Sequence, residues 1–192
     1  RAEPTTGSAF TGTLQLLRPS SADLTDAAFV LGLGLVALAA WASTFSTGTY
    51  LAVGALGLLL GVLAAHVTNA LRWHWVTAVG IVVVLYALLG GVVALRDDLV
   101  AGFLPSAETI RGLAHGAVGG WKDLLTTLAP VPGDFEFLVL PWLVGLVFGA
   151  GAHLLARRTR SVWGPPALAV GLLAGTILLG SFVAATPLAV GV

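Results

Sequence analysis

Five stretches of the chain run for 18 to 20 residues without Asp, Glu, Lys or Arg: Ala27 to Phe45, Tyr50 to Val67, Val76 to Leu95, Phe137 to Ala156 and Ala167 to Ala185. A helix needs roughly 20 mostly apolar residues to cross a hydrocarbon core of about 30 Å, so each run predicts a transmembrane helix. The runs are apolar all round and rich in Leu, Ala and Gly, whereas barrel strands would be about ten residues long with strict alternation. No short basic segment precedes the first run and no cleavage-type segment follows it, which separates it from a removable signal peptide. The expected fold class is an all-α membrane protein, a bundle of about five transmembrane helices.

Between the third and fourth runs the pattern changes. Ile110, Leu113, Ala114, Ala117, Val118, Trp121, Leu124, Leu125 and Leu128 recur at steps of three and four, which predicts an amphipathic helical segment over 106–128. Ser106 can cap it, Glu108 suits its positive end, Gly119-Gly120 can divide it, and Ala129-Pro130-Val131-Pro132-Gly133 stops it. Two readings are open: a structural connector covering the bundle, or a docking surface for an external domain.

Charge sets the expected orientation. Arg72 lies between runs 2 and 3, and Arg157, Arg158 and Arg160 between runs 4 and 5, so these short loops are expected in the cytoplasm. The loop 96–136 is net acidic, as an external loop can be, and one assignment satisfies every loop: N-terminus inside, C-terminus outside. Trp41 near the outer end of run 1, Trp73 and Trp75 at the inner start of run 3, and Trp163 before run 5 are expected in the interfacial aromatic belts. Pro165 and Pro166 suit the first turn of a helix. Residues 1–26 thus read as a cytoplasmic arm, 27–186 as the membrane domain, and 187–192 as the start of an external segment. The absence of Met and the opening Arg1-Ala2-Glu3-Pro4 predict a piece of a longer protein.

Composition narrows the chemistry. Charged residues are 9 % and hydrophobic ones 57 % of the chain, with mean hydropathy +0.98, far from the roughly 25 % and 45–50 % of soluble domains. Eight arginines and one lysine balance nine acidic residues without a basic stripe, so nucleic acid is not an expected partner. With no Cys, disulfides, thiolate metal sites and cysteine nucleophiles are excluded. The Arg-, Ala- and Gly-rich bias suits a GC-rich bacterial genome.

Small residues four apart occur within three runs: Gly57 with Gly61, Gly145 with Gly149, and Gly171 with Gly175. Such pairs let helix backbones approach closely in lipid, and all six glycines are expected to face other helices. His66 and His153 are the only ionisable side chains inside the runs, near the same end of runs 2 and 4. They are candidates for haem ligation or a proton pathway, although both lie close enough to Arg72 and Arg157 to reach the interface. His74 and His115 have no second ligand at helical spacing, so no metal and no cofactor is expected. Arg96, Asp97 and Asp98 read as a membrane-boundary cluster, and no Gly-x-Ser-x-Gly elbow is present. Catalytic residues are not expected in this chain.

One resemblance rests on the order of features after run 3. An acidic loop with Leu104-Pro105-Ser106-Ala107-Glu108-Thr109 is followed by Gly120-Trp121-Lys122-Asp123-Leu124-Leu125-Thr126-Thr127 and Pro130-Val131-Pro132. Then come Leu138-Val139-Leu140-Pro141-Trp142-Leu143 and Ala156-Arg157-Arg158-Thr159-Arg160. This resembles the N-terminal transmembrane region of actinobacterial TgpA-like proteins, members of the transglutaminase-like superfamily, loosely over 27–186 and better over 104–180. The resemblance implies a plasma-membrane anchor preceding an extracytoplasmic transglutaminase-like domain with a Cys-His-Asp set, and association with a MoxR-type AAA ATPase. No member of that catalytic set can be placed on this chain. Two functions are therefore weighed: a membrane anchor and scaffold for an external transglutaminase-like or protease-like domain, and a transporter or electron-transfer subunit using His66 and His153. Transporters usually carry charged groups near the midplane at broken helices, and only Pro141, in the first turns of run 4, hints at a break.

Overall fold

The computed structural model describes residues 17–94, 99–100, 104–131, 135–159 and 163–178. Among these, seven α-helices form the bundle: α1 (Ser21–Ala39), α2 (Thr49–Ala70), α3 (Trp75–Ala94), α4 (Ala107–Val118), α5 (Gly120–Thr126), α6 (Phe135–Arg158) and α7 (Gly164–Leu178). A 3₁₀ turn, Ala40–Ser43, extends α1. Four of these elements are long and apolar enough to cross a membrane: Ser21–Ser43, Thr49–Ala70, Trp75–Ala94 and Phe137–Arg158. Of the fifth expected span the described part is the 15-residue α7; the remainder to Ala185 lies outside the described residues, as do most of the N-terminal arm, the segment 187–192, Arg96, Asp97, Asp98 and Arg160.

The first span begins earlier than its apolar run. Ser20 is the N-cap: its Oγ accepts from the Asp23 backbone N–H (3.2 Å), and Asp23 Oδ2 accepts from the Ser20 backbone N–H (2.8 Å). This reciprocal box satisfies two otherwise orphaned donors, so residues 21–26 belong to the helix and not to the arm expected over 1–26. The end of the span also differs. Trp41 is not an interfacial residue; the 3₁₀ turn carries it inward, where it is 1 % exposed and packs on Phe45, which stacks on Tyr50 at 4.9 Å. Backbone hydrogen bonds from Ser46 to Val131 and from Val131 to Thr44 tie this corner to the chain leaving α5. Trp73, Trp75 and Trp163 are exposed, as interfacial side chains should be.

α6 is the central helix and α3 the most peripheral, with 67 % and 17 % of their spanning windows buried. Pro141 neither breaks α6 nor starts it; the helix begins two turns earlier and continues through the proline. Pro there removes one backbone donor and crowds the preceding turn, a cost offset by dense packing, since Leu138, Val139, Leu140 and Trp142 are all at most 1 % exposed. Pro165 and Pro166 fall in the first turn of α7, where the missing N–H is harmless.

The amphipathic segment divides at Gly119, as its glycines suggest, into α4 and α5. Ser106 caps α4 through a reciprocal box with Thr109. Its buried stripe is narrower than the periodicity implies: Thr109, Leu113, Gly116, Gly120 and Leu124 face inward, and Leu113 and Leu124 join the same core as Trp142. Ile110, Val118, Leu125 and Leu128 face outward. The structure also adds a feature to the all-helical expectation, a two-residue antiparallel ladder, β1 (Leu99–Val100) with β2 (Leu104–Pro105).

Candidate functional site

Two places concentrate what the fold has made unusual: a glycine seam in the middle of the bundle and a polar cluster at one end. The seam joins α2 and α6. A Cβ on Gly57 would lie 2.7 Å from the Trp142 carbonyl and 3.1 Å from the Leu146 nitrogen; one on Gly61 would meet the Leu146 carbonyl and the Ala150 nitrogen. From the other side, Gly145 abuts the Gly54 carbonyl and the Leu58 nitrogen, and Gly149 the Leu58 carbonyl. Each neighbour is backbone, so these four glycines meet helix against helix as expected, with Gly54 as a further member that the four-residue spacing did not single out. In lipid such close approach supplies dispersion and Cα–H···O attraction that hydrophobicity cannot. Residue numbers rise together across the seam, so α2 and α6 run in the same direction.

Gly171 and Gly175 depart from the expectation. Nothing lies within 4 Å of a Cβ at either position. Gly171 lines an open apolar groove of about 640 Å³ between α6 and α7, together with Leu143, Val147, Leu155 and Leu168. Their four-residue spacing is the same as in the seam, but α7 does not approach a neighbour closely on that face.

The polar end gathers the start of α1, the ends of α2 and α6, and the start of α3. Asp23 and Asp26 lie near the positive N-terminus of α1, and Arg157 and Arg158 in the last turn of α6, so each charge suits its own helix dipole. Because α1 and α6 are antiparallel, these ends meet: Arg157 contacts Asp23 Oδ1 at 2.7 Å and Asp26 Oδ2 at 3.2 Å. Arg158 donates to Asn69 Oδ1 (2.8 Å) and to the Trp73 carbonyl (2.6 Å). Asp23, Asp26 and Asn69 are not among the candidate residues that the sequence pattern singles out. The Ser-x-x-Asp box and the Asp pair three apart, directly before an apolar run, were the available signals.

Arg72 closes α2. The Trp73 N–H bonds to the Thr68 carbonyl and the Arg72 N–H to the Asn69 carbonyl, the two bonds of a Schellman cap with Arg72 at the left-handed position. Its φ is +54°, a conformation that costs a non-glycine L-residue roughly 1–2 kcal/mol.

The two expected histidines do come together, with ring centroids 6.2 Å apart. His66 Nε2 donates to the Leu17 carbonyl at 3.2 Å. His153 is 1 % exposed, and neither of its ring nitrogens has a hydrogen-bond partner among the described residues. His74 sits beside Trp75, and His115 Nε2 meets Asp123 Oδ2 at 2.9 Å across the α4–α5 junction. Among the described residues no group of three or more His, Asp or Glu side chains could hold a metal ion. No protein-family model, curated protein or solved structure matches the chain.

Proposed function

We infer that this chain is the membrane anchor and scaffold of a cell-envelope protein, holding a transglutaminase-like or protease-like domain outside the plasma membrane. The observation that carries this reading is the α4–α5 cap. It is fixed to the bundle through Leu113 and Leu124, and Tyr86 Oη donates to the Leu113 carbonyl at 2.7 Å. Yet it turns Val118, Leu125 and Leu128 outward, at 84 %, 61 % and 92 % exposure, an apolar edge suited to an attached domain. In this reading the chain performs no catalysis itself, the N-terminus is cytoplasmic, and the MoxR-type ATPase of the resembled family is a candidate partner.

Two measurements test it. A cysteine at Gly48, where a Cβ meets nothing within 4 Å, should label with a membrane-impermeant reagent in spheroplasts, while Thr159→Cys should not; the reverse pattern rejects the orientation. In the full-length protein, a photo-crosslinker at Leu125 should join the cap to the external domain of the same chain, and crosslinks to lipid alone reject the docking role.

A second reading, electron or proton transfer through His66 and His153, is favoured by their proximity and by the unpartnered His153 ring. The two readings predict opposite results. As a scaffold residue, His153→Leu should raise thermal stability, because an unsatisfied buried polar group costs about 1–3 kcal/mol. A Soret band near one haem per chain, lost in His66→Ala or His153→Ala, would assign the chain to electron transfer.

A further inference from the structure

At the polar end, Asn69, Arg72, Trp73, Arg157 and Arg158 line a pocket of about 370 Å³. Three of its five lining side chains are arginines. Arg157 is neutralised by Asp23 and Asp26, but Arg158 bonds only to neutral acceptors, Asn69 Oδ1 and the Trp73 carbonyl. Arg72 has no acceptor among the described residues, and the Asn69 Nδ2 donor is buried without a partner. Arg72 and Arg158, both exposed and neither paired with a carboxylate, thus line one open space, and an unpaired guanidinium fork is suited to a phosphate or carboxylate oxygen.

The backbone adds an independent observation. The left-handed position of a Schellman cap ordinarily holds glycine, which adopts it without strain. Here it holds an arginine at φ +54°, and strain of this kind clusters where a ligand is held. The position within the bilayer selects the ligand. Trp73 and Trp75, both about half exposed, mark the headgroup level, where phosphate is the abundant anion and arginine its preferred partner.

We propose that this pocket binds a phosphate group, presented by an anionic lipid headgroup or by phosphate in solution, through Arg72 and Arg158. The test uses the full chain in a neutral detergent. It is titrated with dioctanoyl phosphatidylglycerol, dioctanoyl phosphatidylcholine and sodium phosphate, with adducts followed by native mass spectrometry and melting temperature measured in parallel. One phosphatidylglycerol should bind and raise the melting temperature, with phosphatidylcholine weaker because its quaternary ammonium is repelled by the two guanidiniums. Arg72→Gly and Arg158→Gln should each weaken phosphatidylglycerol binding by about tenfold, the value of one charge-assisted hydrogen bond. Arg72→Gly should also be more stable than the parent without lipid, since glycine fits the left-handed position; this separates lost binding from misfolding. Sodium phosphate binding as tightly as phosphatidylglycerol would support the phosphate site and place its source in solution, whereas much weaker binding would assign it to the lipid. Equal binding of the two lipids, or unchanged binding in both variants, overturns the proposal.

Discussion

Gly149→Leu is expected to lower the melting temperature of the detergent-solubilised protein sharply, whereas Gly171→Leu should leave it unchanged or raise it. Both substitutions gain helix propensity, up to about 1 kcal/mol relative to glycine. They differ in what the new side chain meets. At Gly149 the first added carbon strikes the Leu58 backbone, with the carbonyl carbon 3.1 Å and Cα 3.2 Å away. A backbone neighbour cannot rotate aside, so α2 and α6 must separate along the whole seam. Overpacking typically costs about 1–3 kcal/mol, occasionally more, and a helix pair forced apart belongs at the upper end. At Gly171 the side chain enters the open groove between α6 and α7. Equal melting temperatures for the two variants would remove the physical basis of the seam.

Trp142→Ala is expected to destabilise the bundle by about 3 kcal/mol or more, within the range for large aromatic truncations. Trp142 is fully buried on α6, with its indole between a glycine of α2 and a glycine of α3: a Cβ on Gly57 would lie 3.3 Å from its Cε3, and one on Gly90 3.2 Å from its Nε1. Removing the ring empties a space that neither glycine can fill. Trp142→Phe is the informative companion. It keeps most of the ring and deletes Nε1, which is buried without a hydrogen-bond partner, so its cost should stay below about 1.5 kcal/mol. Thermal melts of the two variants in one detergent decide the matter; a Phe variant as unstable as the Ala variant would mean that Nε1 and not packing holds this residue.

The spans were legible because lipid imposes one requirement, an uninterrupted apolar run, that can be read without knowing any partner. What depends on a partner was not. Gly149 and Gly175 sit in the same four-residue motif, yet one meets a backbone and the other meets nothing, since spacing describes a helix surface and not what lies against it. Trp41 looked interfacial by its place at a run's end, and a 3₁₀ turn carries it into the core. The stripe on α4 and α5 was correct in period but too broad, because Ala114, Ala117 and their apolar neighbours obey the same steps as the buried Leu113 and Leu124. The polar end was least legible of all. Arg157 and Asp26 are 131 positions apart, and only the antiparallel packing of α1 on α6 makes them neighbours. His66 and His153 were recognisable as a pair because their depths match on two spans of equal direction.

The shared direction of α2 and α6 constrains how the protein is made. Two spans that run the same way cannot be inserted as one hairpin, so the ribosome must finish α3, the cap and α6 before α2 meets its partner. Translation proceeds at roughly 5–20 residues per second, and α6 ends 88 residues after α2, at Arg158 against Ala70. For on the order of ten seconds, Gly57 and Gly61, whose nearest neighbours are all on α6, therefore lack their partner helix. A nascent chain halted before Phe135 would leave that face without its partner helix.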